Sequence, residues 1–296
     1  MKKVLILGTA GMLGHVVWQS LSRMEDYKIF TASFPYKFPN NSYILDVLNK
    51  NGVEEIVNII KPNVVINCIG LLIKGAVQNP ANAIYINSWF PHMLSRIVRN
   101  NGGRLIHIST DCVYNGSRGG YTENDPYDVS DIYGMSKALG ELRNDHDLTI
   151  RTSIIGPELN KDGEGLFQWF MNQRGVIKGY THVFWSGLTT LELSKAIDAS
   201  MRQGLAGLIN IAQEKISKYD LLCLLKDIWQ RTDIIIEPDG SKVVDKSLIS
   251  TRNDFDFRLK SYIEMLQDLR YFMQMYSDLY LKNHFNIDIQ SVENLH

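Results

Sequence analysis

The feature that most constrains the fold of this chain is a glycine-rich turn near its amino terminus. The segment VLILGTAGMLGHVV places Gly8, Gly11 and Gly14 at three-residue intervals, directly after an apolar run and directly before a helical pattern. Glycines at this spacing permit a tight turn, a close approach of a pyrophosphate to the backbone and close packing of the helix, whose unpaired N–H groups attract phosphate oxygens. The alternative is the same turn without a ligand. We predict a dinucleotide-binding βα turn formed by Gly8, Thr9, Ala10, Gly11, Met12 and Leu13.

Apolar runs and amphipathic patterns alternate over the first 155 residues, which indicates βαβ units. The predicted strands are 3–8, 28–33, 63–70, 104–110 and 148–156, and the predicted helices are 12–24, 52–60, 81–100 and 131–144. Because the runs are nearly continuous, both faces of the sheet should be covered. We predict an α/β fold with a doubly wound parallel (Rossmann) sheet, whose ligands lie beyond the carboxyl ends of the strands.

The pattern changes after residue 156, so we predict a cofactor-binding domain with the catalytic residues at 1–156 and a smaller lobe at 157–296. The lobe should be mainly a substrate-binding α/β unit, with some segments returning to the first domain. Its predicted elements are a loop and helix at 161–175, an extended aromatic stretch at 179–190, helices at 191–204, 217–232 and 261–282, short strands at 207–212 and after 230, and a frayed tail at 284–296.

Composition excludes several classes of protein. The net charge is −1, with a pI of about 6.7 and no basic stripe, which gives a nucleic-acid partner no support. No apolar run approaches the ~18–20 residues that span a bilayer, and the first run passes into glycine-punctuated sequence, unlike a signal peptide. The three cysteines fit a reducing compartment, and the seven histidines have no metal-ligand spacing. We expect a cytoplasmic protein without a metal or membrane partner, and leave a homodimer open.

The end of the second predicted strand bears on the choice of nicotinamide cofactor. An NAD site usually has an acidic residue there for the ribose 2′-hydroxyl, but TASFPYKF contains none. Ser33 and Lys37 could instead meet a 2′-phosphate, which favours NADP(H) and leaves NAD(H) open; the alternative is that both are solvated loop residues. Asp46, which precedes Val47, could bind the adenine amino group or could cap the following helix.

A possible reaction centre follows the fourth predicted strand. That strand ends in Ser109 and Thr110, and a helix farther along carries Tyr133 and Lys137, whose i, i+4 spacing puts them on one face. Chance alone supplies a Tyr-x-x-x-Lys pair about once in a chain of this composition, so the context must carry the argument. The context fits reduction of a ketone, which needs a proton donor for the alkoxide that hydride transfer creates.

Each of these side chains has a possible role in that reaction. Free tyrosine has a pKa near ~10, and we expect the ammonium group of Lys137 to lower the pKa of Tyr133 toward neutrality. Lys137 could also bind the ribose hydroxyls of the cofactor. Thr110, and with it Ser109, would contact the substrate, where the Thr110 hydroxyl would stabilise the charge that develops on the oxygen.

The motifs of the chain resemble a known group. They are GTAGMLG, INCIG, INSWFPHML, STDCVYNG, YTENDPYDVSDIYGMSKALGE and RTSIIGPE, with looser similarity in GYTHVFWSGLTTLELSKAI and GLINIA. The sequence resembles an extended short-chain dehydrogenase/reductase, and specifically the dTDP-4-dehydrorhamnose reductase family of nucleotide-sugar reductases. The resemblance implies that Thr110, Tyr133 and Lys137 are the catalytic residues.

The same resemblance implies further contacts. Cys68, Ile69 and Gly70 would line the cofactor, Asn87 occupies the family's asparagine position beside the site, and Ser153 and Ile154 would close over the nicotinamide through their backbone. The chain departs from the family at Cys112, where an aromatic residue is usual. By implication Cys112 and Val113 lie beside the substrate, although Cys112 could simply be a small buried residue.

Two side chains of the second lobe are also candidates for substrate contacts. Trp185, which follows Phe184, could stack on a sugar or a nucleobase, and packing in a core is the alternative. Arg252 could bind a diphosphate, because a guanidinium matches phosphate oxygens bidentately; a surface arginine is the alternative.

Three functions remain open at this point. The first is an NADPH-dependent reductase of a nucleotide-linked 4-keto-6-deoxyhexose in the synthesis of cell-surface polysaccharide precursors. The second is an epimerase or dehydratase of the same fold, although such enzymes commonly have the acidic residue that is missing after the second strand. The third is a regulatory subunit that binds the cofactor without turnover.

Overall fold

The structure is a computed structural model that describes residues 1–160 and 162–282, of which 281 and 282 are described through their backbone alone. The predicted frayed tail at 284–296 lies outside the described residues. None of the helices in the described part of the chain is long and apolar enough to cross a bilayer. No group of three or more potential metal-ligating side chains converges within those ranges.

Strands of the described residues form one large sheet and two small ones. The strands are β1 (Lys2–Leu7), β2 (Tyr27–Ser33), β3 (Tyr43–Ile44), β4 (Val64–Asn67), β5 (Arg104–Thr110), β6 (Leu148–Thr152), β7 (Ile154–Ile155), β8 (Gly175–Trp185), β9 (Leu188–Thr189), β10 (Gly207–Asn210), β11 (Ile216–Ser217) and β12 (Ile234–Asp245).

Helices connect most of these strands. They are α1 (Gly14–Leu21), α2 (Lys50–Ile60), α3 (Ile73–Gln78), α4 (Pro80–Ala83), α5 (Phe90–Asn100), α6 (Ile132–Leu139), α7 (Leu166–Met171), α8 (Thr190–Gln203), α9 (Lys218–Ile228), α10 (Tyr262–Met275) and α11 (Ser277–Lys282). A π-helical turn, Ile84–Trp89, joins α4 to α5, and a 3₁₀ turn, Asp111–Val113, follows β5.

The large sheet has the predicted parallel arrangement, with the order β10-β6-β5-β4-β1-β2-β3. Strand β1 lies between β2 and β4, with Val4 paired to Ile29 on one side and to Val64 on the other. The chain leaves β1 toward β2 and later returns to its opposite side, so the loops after β1 and β4 frame a crevice at their carboxyl ends. The four residues from Val4 to Leu7 are fully buried because helices cover both faces of the sheet.

The carboxyl-terminal half forms a smaller lobe and also contributes to the first sheet. Strand β8 pairs in parallel with β12 and antiparallel with β11, and helices α7, α9 and α10 share an apolar core with this small sheet. Strand β10 instead extends the large sheet beside β6. The chain therefore returns to the first domain after the small sheet has begun.

Several predicted elements differ from the observed ones. The predicted helix at 81–100 is divided by the π-helical turn, and the predicted helix at 261–282 is divided into α10 and α11. Helix α3 and strand β3 were not predicted, and β12, predicted as a short strand, extends over twelve residues. Short elements such as β3 lack enough residues to show a periodic pattern.

Candidate active site

The glycine-rich turn closes tightly after β1. Gly8 has a φ of 83°, and a Cβ atom at Gly8 would lie 2.9 Å from Cγ1 of Ile69. A Cβ atom at Gly14 would lie only 2.2 Å from the carbonyl oxygen of Gly8, so glycine is what permits α1 to begin so close to the turn. The buried Thr9 hydroxyl bonds to the carbonyl oxygen of Phe38, which brings the loop after β2 over the turn.

Ser33, one of the two residues predicted to contact a 2′-phosphate, bonds within that loop instead. Ser33 is buried, and its hydroxyl donates to the carbonyl oxygen of Tyr36 (2.7 Å) and accepts from the N–H of Phe38 (2.8 Å). The structure therefore makes Ser33 a loop anchor and does not leave its hydroxyl available to a ligand. Lys37 is exposed on the same loop and stays a candidate.

The suggestion that Asp46 caps helix α2 is wrong. The cap of α2 is Asn49, whose side chain accepts from the N–H of Gly52, whereas Asp46 accepts from the N–H of Leu48 at 3.0 Å. Asp46 lies near enough to Tyr85 to raise the pKa of that phenol, although burial is the larger cause. Val47, the next residue in the chain, is buried. An adenine contact by Asp46 stays a prediction.

Gly70, Asn87 and Lys137 converge beside the ends of β4 and β5. A Cβ atom at Gly70 would lie 3.6 Å from Oδ1 of Asn87 and 3.8 Å from Nζ of Lys137. Asn87, buried in the π-helical turn, accepts from the N–H of Leu71 at 2.8 Å and donates to the Ser136 hydroxyl at 3.0 Å. It thereby joins the loop that carries Cys68, Ile69 and Gly70 to helix α6. Short π-helical turns frequently occur at functional sites.

Helix α6 carries Tyr133 and Lys137, and it begins at a cap formed by Asp131, whose side chain accepts from the N–H of Gly134 at 2.8 Å. A Cβ atom at Gly134 would lie 2.3 Å from the carbonyl oxygen of Cys112, so this glycine allows α6 to approach the turn after Thr110. The close contact brings the reaction-centre candidates from β5 and α6 together. The Tyr-Gly pair was a signal that sequence reasoning did not use.

The ammonium group of Lys137 is buried, and its Nζ donates to the carbonyl oxygen of Ile108 at 2.7 Å. Burial lowers the pKa of Lys137 to about 8, and Glu141 acts in the opposite direction. Within the part of the chain that the structure describes, the bond to Ile108 is the one hydrogen bond of the ammonium group, which leaves two of its three protons for other acceptors. Lys137 is therefore placed to bind hydroxyl groups near Gly70.

Tyr133 and Thr110 form the centre of the site. Burial raises the pKa of Tyr133 above its ordinary value, while the nearby Thr110 hydroxyl acts in the opposite direction. From the sequence we expected Lys137 to lower the pKa of Tyr133. Desolvation of the phenolate is the largest influence on this group, so its pKa is raised instead. Tyr133 is consequently a neutral phenol at neutral pH, the form that can donate a proton.

Thr110 also organises the turn that follows it. Its hydroxyl donates to Oδ1 of Asp111 at 3.2 Å and accepts from the N–H of Cys112 at 3.1 Å. Burial raises the pKa of Asp111, and two lysines that sequence reasoning missed, Lys246 and Lys218, act against that shift. These lysines come from distant segments of the second lobe, so no local pattern could have associated them with Thr110.

Three other predicted substrate contacts have structural partners. Ser109 donates to Oε1 of Glu141 at 2.6 Å, inside a buried ion pair, so the structure does not bring it to the centre. Val113 is fully buried in a small apolar core. Trp185 is 4% exposed and donates from Nε1 to the Ser153 hydroxyl at 2.7 Å, which favours the core alternative for most of its surface. Ile154 lies in β7, where it pairs with Leu188 of β9.

The prediction for Arg252 disagrees with the structure. Its guanidinium binds Asp254 and the carbonyl oxygens of Ala206 and Leu208, next to the beginning of β10. It lines an open cleft of about 710 Å³ at the amino-terminal ends of β6 and β10. Thr110 ends β5 and therefore lies at the carboxyl ends of the strands. Arg252, at their amino-terminal ends, cannot contact a diphosphate that extends from Thr110.

The fold and site can be compared with known proteins. A family model described as the RmlD substrate binding domain matches residues 1–166. A dTDP-4-dehydrorhamnose reductase of Mycobacterium tuberculosis (strain ATCC 25618 / H37Rv) is 32% identical over 148 residues, which are 47% of this chain and 44% of that protein. The matched part thus spans less than half the length of this curated relative.

Two further comparisons cover more of the chain. Methionine adenosyltransferase 2 subunit beta of Danio rerio is 24% identical over 246 residues, or 77% of this chain and 74% of that protein. A solved dTDP-4-dehydrorhamnose reductase of Bacillus anthracis, in complex with NADP, has a TM-score of 0.78 and 22% identity and covers 91% of this chain and 98% of that one. This likeness confirms the predicted Rossmann fold.

Proposed function

The chain belongs to the RmlD substrate binding domain family, and on that premise we propose that it is an NADPH-dependent reductase of a nucleotide-linked 4-keto-6-deoxyhexose. The observation that carries the proposal is the close approach of α6, which carries the Tyr133 phenol, to the turn after Thr110 at the carboxyl ends of the strands, where the glycine-rich turn also lies. Such a phenol suits the reductive direction, in which the catalyst must give up a proton. The product would serve the cytoplasmic synthesis of cell-surface polysaccharide precursors.

The chain's residues fit a nicotinamide dinucleotide. Gly70 leaves open the space next to Asn87 and Lys137, and the turn at Gly8 and Gly11 offers its backbone to phosphates. In the proposed complex, Lys137 binds the ribose hydroxyls of the cofactor. Asp46 binds its adenine end, and the backbone of Ser153 closes over its nicotinamide end. When bound, NADPH supplies the hydride for the ketone carbon.

The side chains supply the remaining chemistry. Tyr133 donates its phenolic proton to the carbonyl oxygen of the substrate as negative charge develops there. The Thr110 hydroxyl turns from Asp111 to donate a hydrogen bond to the same oxygen, which stabilises the alkoxide. The Lys137 ammonium then favours the phenolate that Tyr133 becomes, until a solvent proton replaces the one transferred.

Turnover with defined substrates tests the proposal. Purified protein is incubated with NADPH or NADH and a panel of dTDP-, UDP- and GDP-linked 4-keto sugars, and loss of reduced cofactor and product mass are followed. Tyr133→Phe should lower kcat by about 10²–10⁴-fold with cofactor binding intact. Tyr180→Phe, which alters a partly exposed tyrosine on β8, is the matched control. A fully active Tyr133→Phe enzyme would refute the mechanism.

A regulatory subunit is the second candidate function, because methionine adenosyltransferase 2 subunit beta matches a larger share of this chain than the reductase relative does. On this proposal the chain binds the cofactor and a protein partner without turnover. Measurable NADPH binding, together with no oxidation by any sugar in the panel, would favour it. Tightly retained NAD in the ultraviolet spectrum of the purified protein would instead favour an epimerase or dehydratase.

A further inference from the structure

Two asparagines hold the loop that follows β4, one at each end. The Oδ1 atom of Asn67, the last residue of β4, accepts from the N–H of Ile69 at 3.1 Å. At the other end, Asn87 accepts from the N–H of Leu71 at 2.8 Å and donates to the carbonyl oxygen of the same residue at 2.9 Å. The backbone of the loop is therefore fixed on both sides of Gly70.

This loop borders two parts of the proposed cofactor site. The side chain of Ile69 packs against the glycine-rich turn, where a Cβ atom at Gly8 would lie 2.9 Å from its Cγ1. A Cβ atom at Gly70 would lie 3.8 Å from Nζ of Lys137. The turn is the expected site of the pyrophosphate, and the ammonium group is the expected site of a ribose. A shift of the loop would therefore change the fit of a dinucleotide that contacts both.

His107, in the middle of β5, orients the first of the two asparagines. It pairs with Asn67 across the two strands, and its Nδ1 atom lies 3.1 Å from Nδ2 of Asn67. Because Oδ1 of Asn67 accepts from Ile69, the amide nitrogen donates to Nδ1 of the ring, which requires the tautomer with the proton on Nε2. Burial lowers the pKa of His107 well below its ordinary value, so the ring is neutral and can accept at Nδ1.

The other neighbour of His107 in the sheet does not bond to it. Thr149 pairs with His107 from β6, but its hydroxyl bonds to the N–H of Leu142 at 2.9 Å and to the carbonyl oxygen of the same residue at 3.0 Å. Among the residues that the structure describes, Nε2 of His107 has no hydrogen-bond partner. The hydrogen bonding of the ring within this part of the chain is thus directed to Asn67.

We propose that His107 is a positioning residue, which acts through Asn67 to hold residues 68–71 in the conformation that binds the cofactor. The identity of the cofactor rests on the proposed function. His107 is fully buried within the sheet, and the amide of Asn67 connects it to the loop. An effect of His107 on cofactor affinity should therefore require Asn67.

Amide hydrogen exchange and cofactor affinity, both measured without turnover, test the proposal. His107→Leu removes the acceptor at nearly constant volume. It should speed exchange of residues 68–71 about tenfold in the protein without ligand, and raise the Kd of NADPH about tenfold. His107→Asn should keep most of the wild-type values, because its Oδ1 occupies the place of Nδ1. His107→Gln, whose carbonyl oxygen lies one bond farther out, should resemble His107→Leu and replaces that variant if it does not fold.

A double-mutant cycle with Asn67→Ala separates positioning from a general loss of structure. In the Asn67→Ala protein, His107→Leu should change neither quantity further, because the amide that His107 orients is gone. Thr149→Val is the matched control on the other side of His107; it should lower the free energy of unfolding and leave loop exchange and the Kd of NADPH unchanged. Additive effects in the cycle would overturn the inference.

The two measurements also separate this inference from the proposed function. Wild-type exchange in His107→Leu, or faster exchange with an unchanged Kd of NADPH, would overturn the positioning role and leave the proposed function intact. Failure of the wild-type chain to bind either NADPH or NADH would refute the proposed function. The exchange measurement needs no ligand and would then still decide whether His107 holds the loop.

Discussion

The Nε2 atom of His15 lies 3.0 Å from the hydroxyl oxygen of Tyr280, and this contact joins the first helix to the last one described. Nδ1 of the same ring lies 2.8 Å from the carbonyl oxygen of Gly11. Because a carbonyl oxygen only accepts, Nδ1 carries the proton and Nε2 accepts from Tyr280. The glycine-rich turn is thereby supported by a side chain from the opposite end of the described chain.

The histidine predicts a pH dependence of stability. Burial lowers the pKa of His15 from 6.5 to about 4. Between these values the unfolded chain binds a proton that the folded chain does not, so the free energy of unfolding decreases as pH falls, by up to ~3 kcal/mol. Urea unfolding between pH 4 and 7.5 should show a shallower dependence for His15→Gln than for the wild type. The exposed His182→Gln should keep the wild-type slope, and identical slopes for all three would contradict the prediction.

The close approach of α1 predicts a large effect of one added methyl group. Gly14→Ala would place Cβ 2.2 Å from the Gly8 carbonyl oxygen, so we expect a loss of about 2–3 kcal/mol in the free energy of unfolding. Gly52→Ala in α2 would place Cβ 3.3 Å from the side chain of Asn49 and 3.7 Å from that of Leu45, and it should change the free energy of unfolding by less than ~1 kcal/mol. Denaturant unfolding measures both variants, and equal losses would show that the turn tolerates the methyl group.

A buried ion pair in the first domain predicts a large loss of stability when one of its charges is removed. Nε and Nη2 of Arg151 bind the two oxygens of Glu141 at 2.9 and 2.6 Å, and both side chains are fully buried. Glu141→Gln should cost about 3–5 kcal/mol, because it leaves the arginine uncompensated. Glu54→Gln breaks an exposed pair with Lys50 and should cost less than ~0.5 kcal/mol. Thermal or urea unfolding decides between these values.

Two residues of the loop after β2 should affect cofactor binding differently, Lys37 through selectivity for NADPH and Ser33 through the structure of the loop. Lys37→Ala should raise the Kd of NADPH by about tenfold and leave that of NADH unchanged, because it removes a charge that the 2′-phosphate alone requires. Ser33→Ala should weaken the binding of both cofactors equally, since the partners of its hydroxyl among the described residues, Tyr36, Phe38 and Ser42, all belong to the loop. Fluorescence titration measures these constants. A selective NADPH effect at Ser33, with none at Lys37, would reverse the assignment.

Much of the fold was predictable because its pattern is local. The apolar runs gave β1 and β5 within a residue of their observed bounds, and the spacing of Tyr133 and Lys137 placed both on α6. The burial of Lys137 and the proximity of Tyr133 to Thr110 could not be predicted from the sequence, because they depend on how closely α6 approaches β5. The sign of the Tyr133 pKa shift was predicted wrongly for the same reason.

By itself, then, the sequence determined the parallel sheet, the glycine-rich turn and the helix that carries Tyr133, since periodicity and glycine spacing act within one element. Only the tertiary structure decided the environment of these groups. In that structure the Ser33 hydroxyl bonds within its own loop, and Arg252 lies at the amino-terminal ends of the strands, away from Thr110. Lys218 and Lys246 lie near enough to Asp111 to lower its pKa. Which distant charges meet depends on the packing of whole lobes, and no local pattern records that packing.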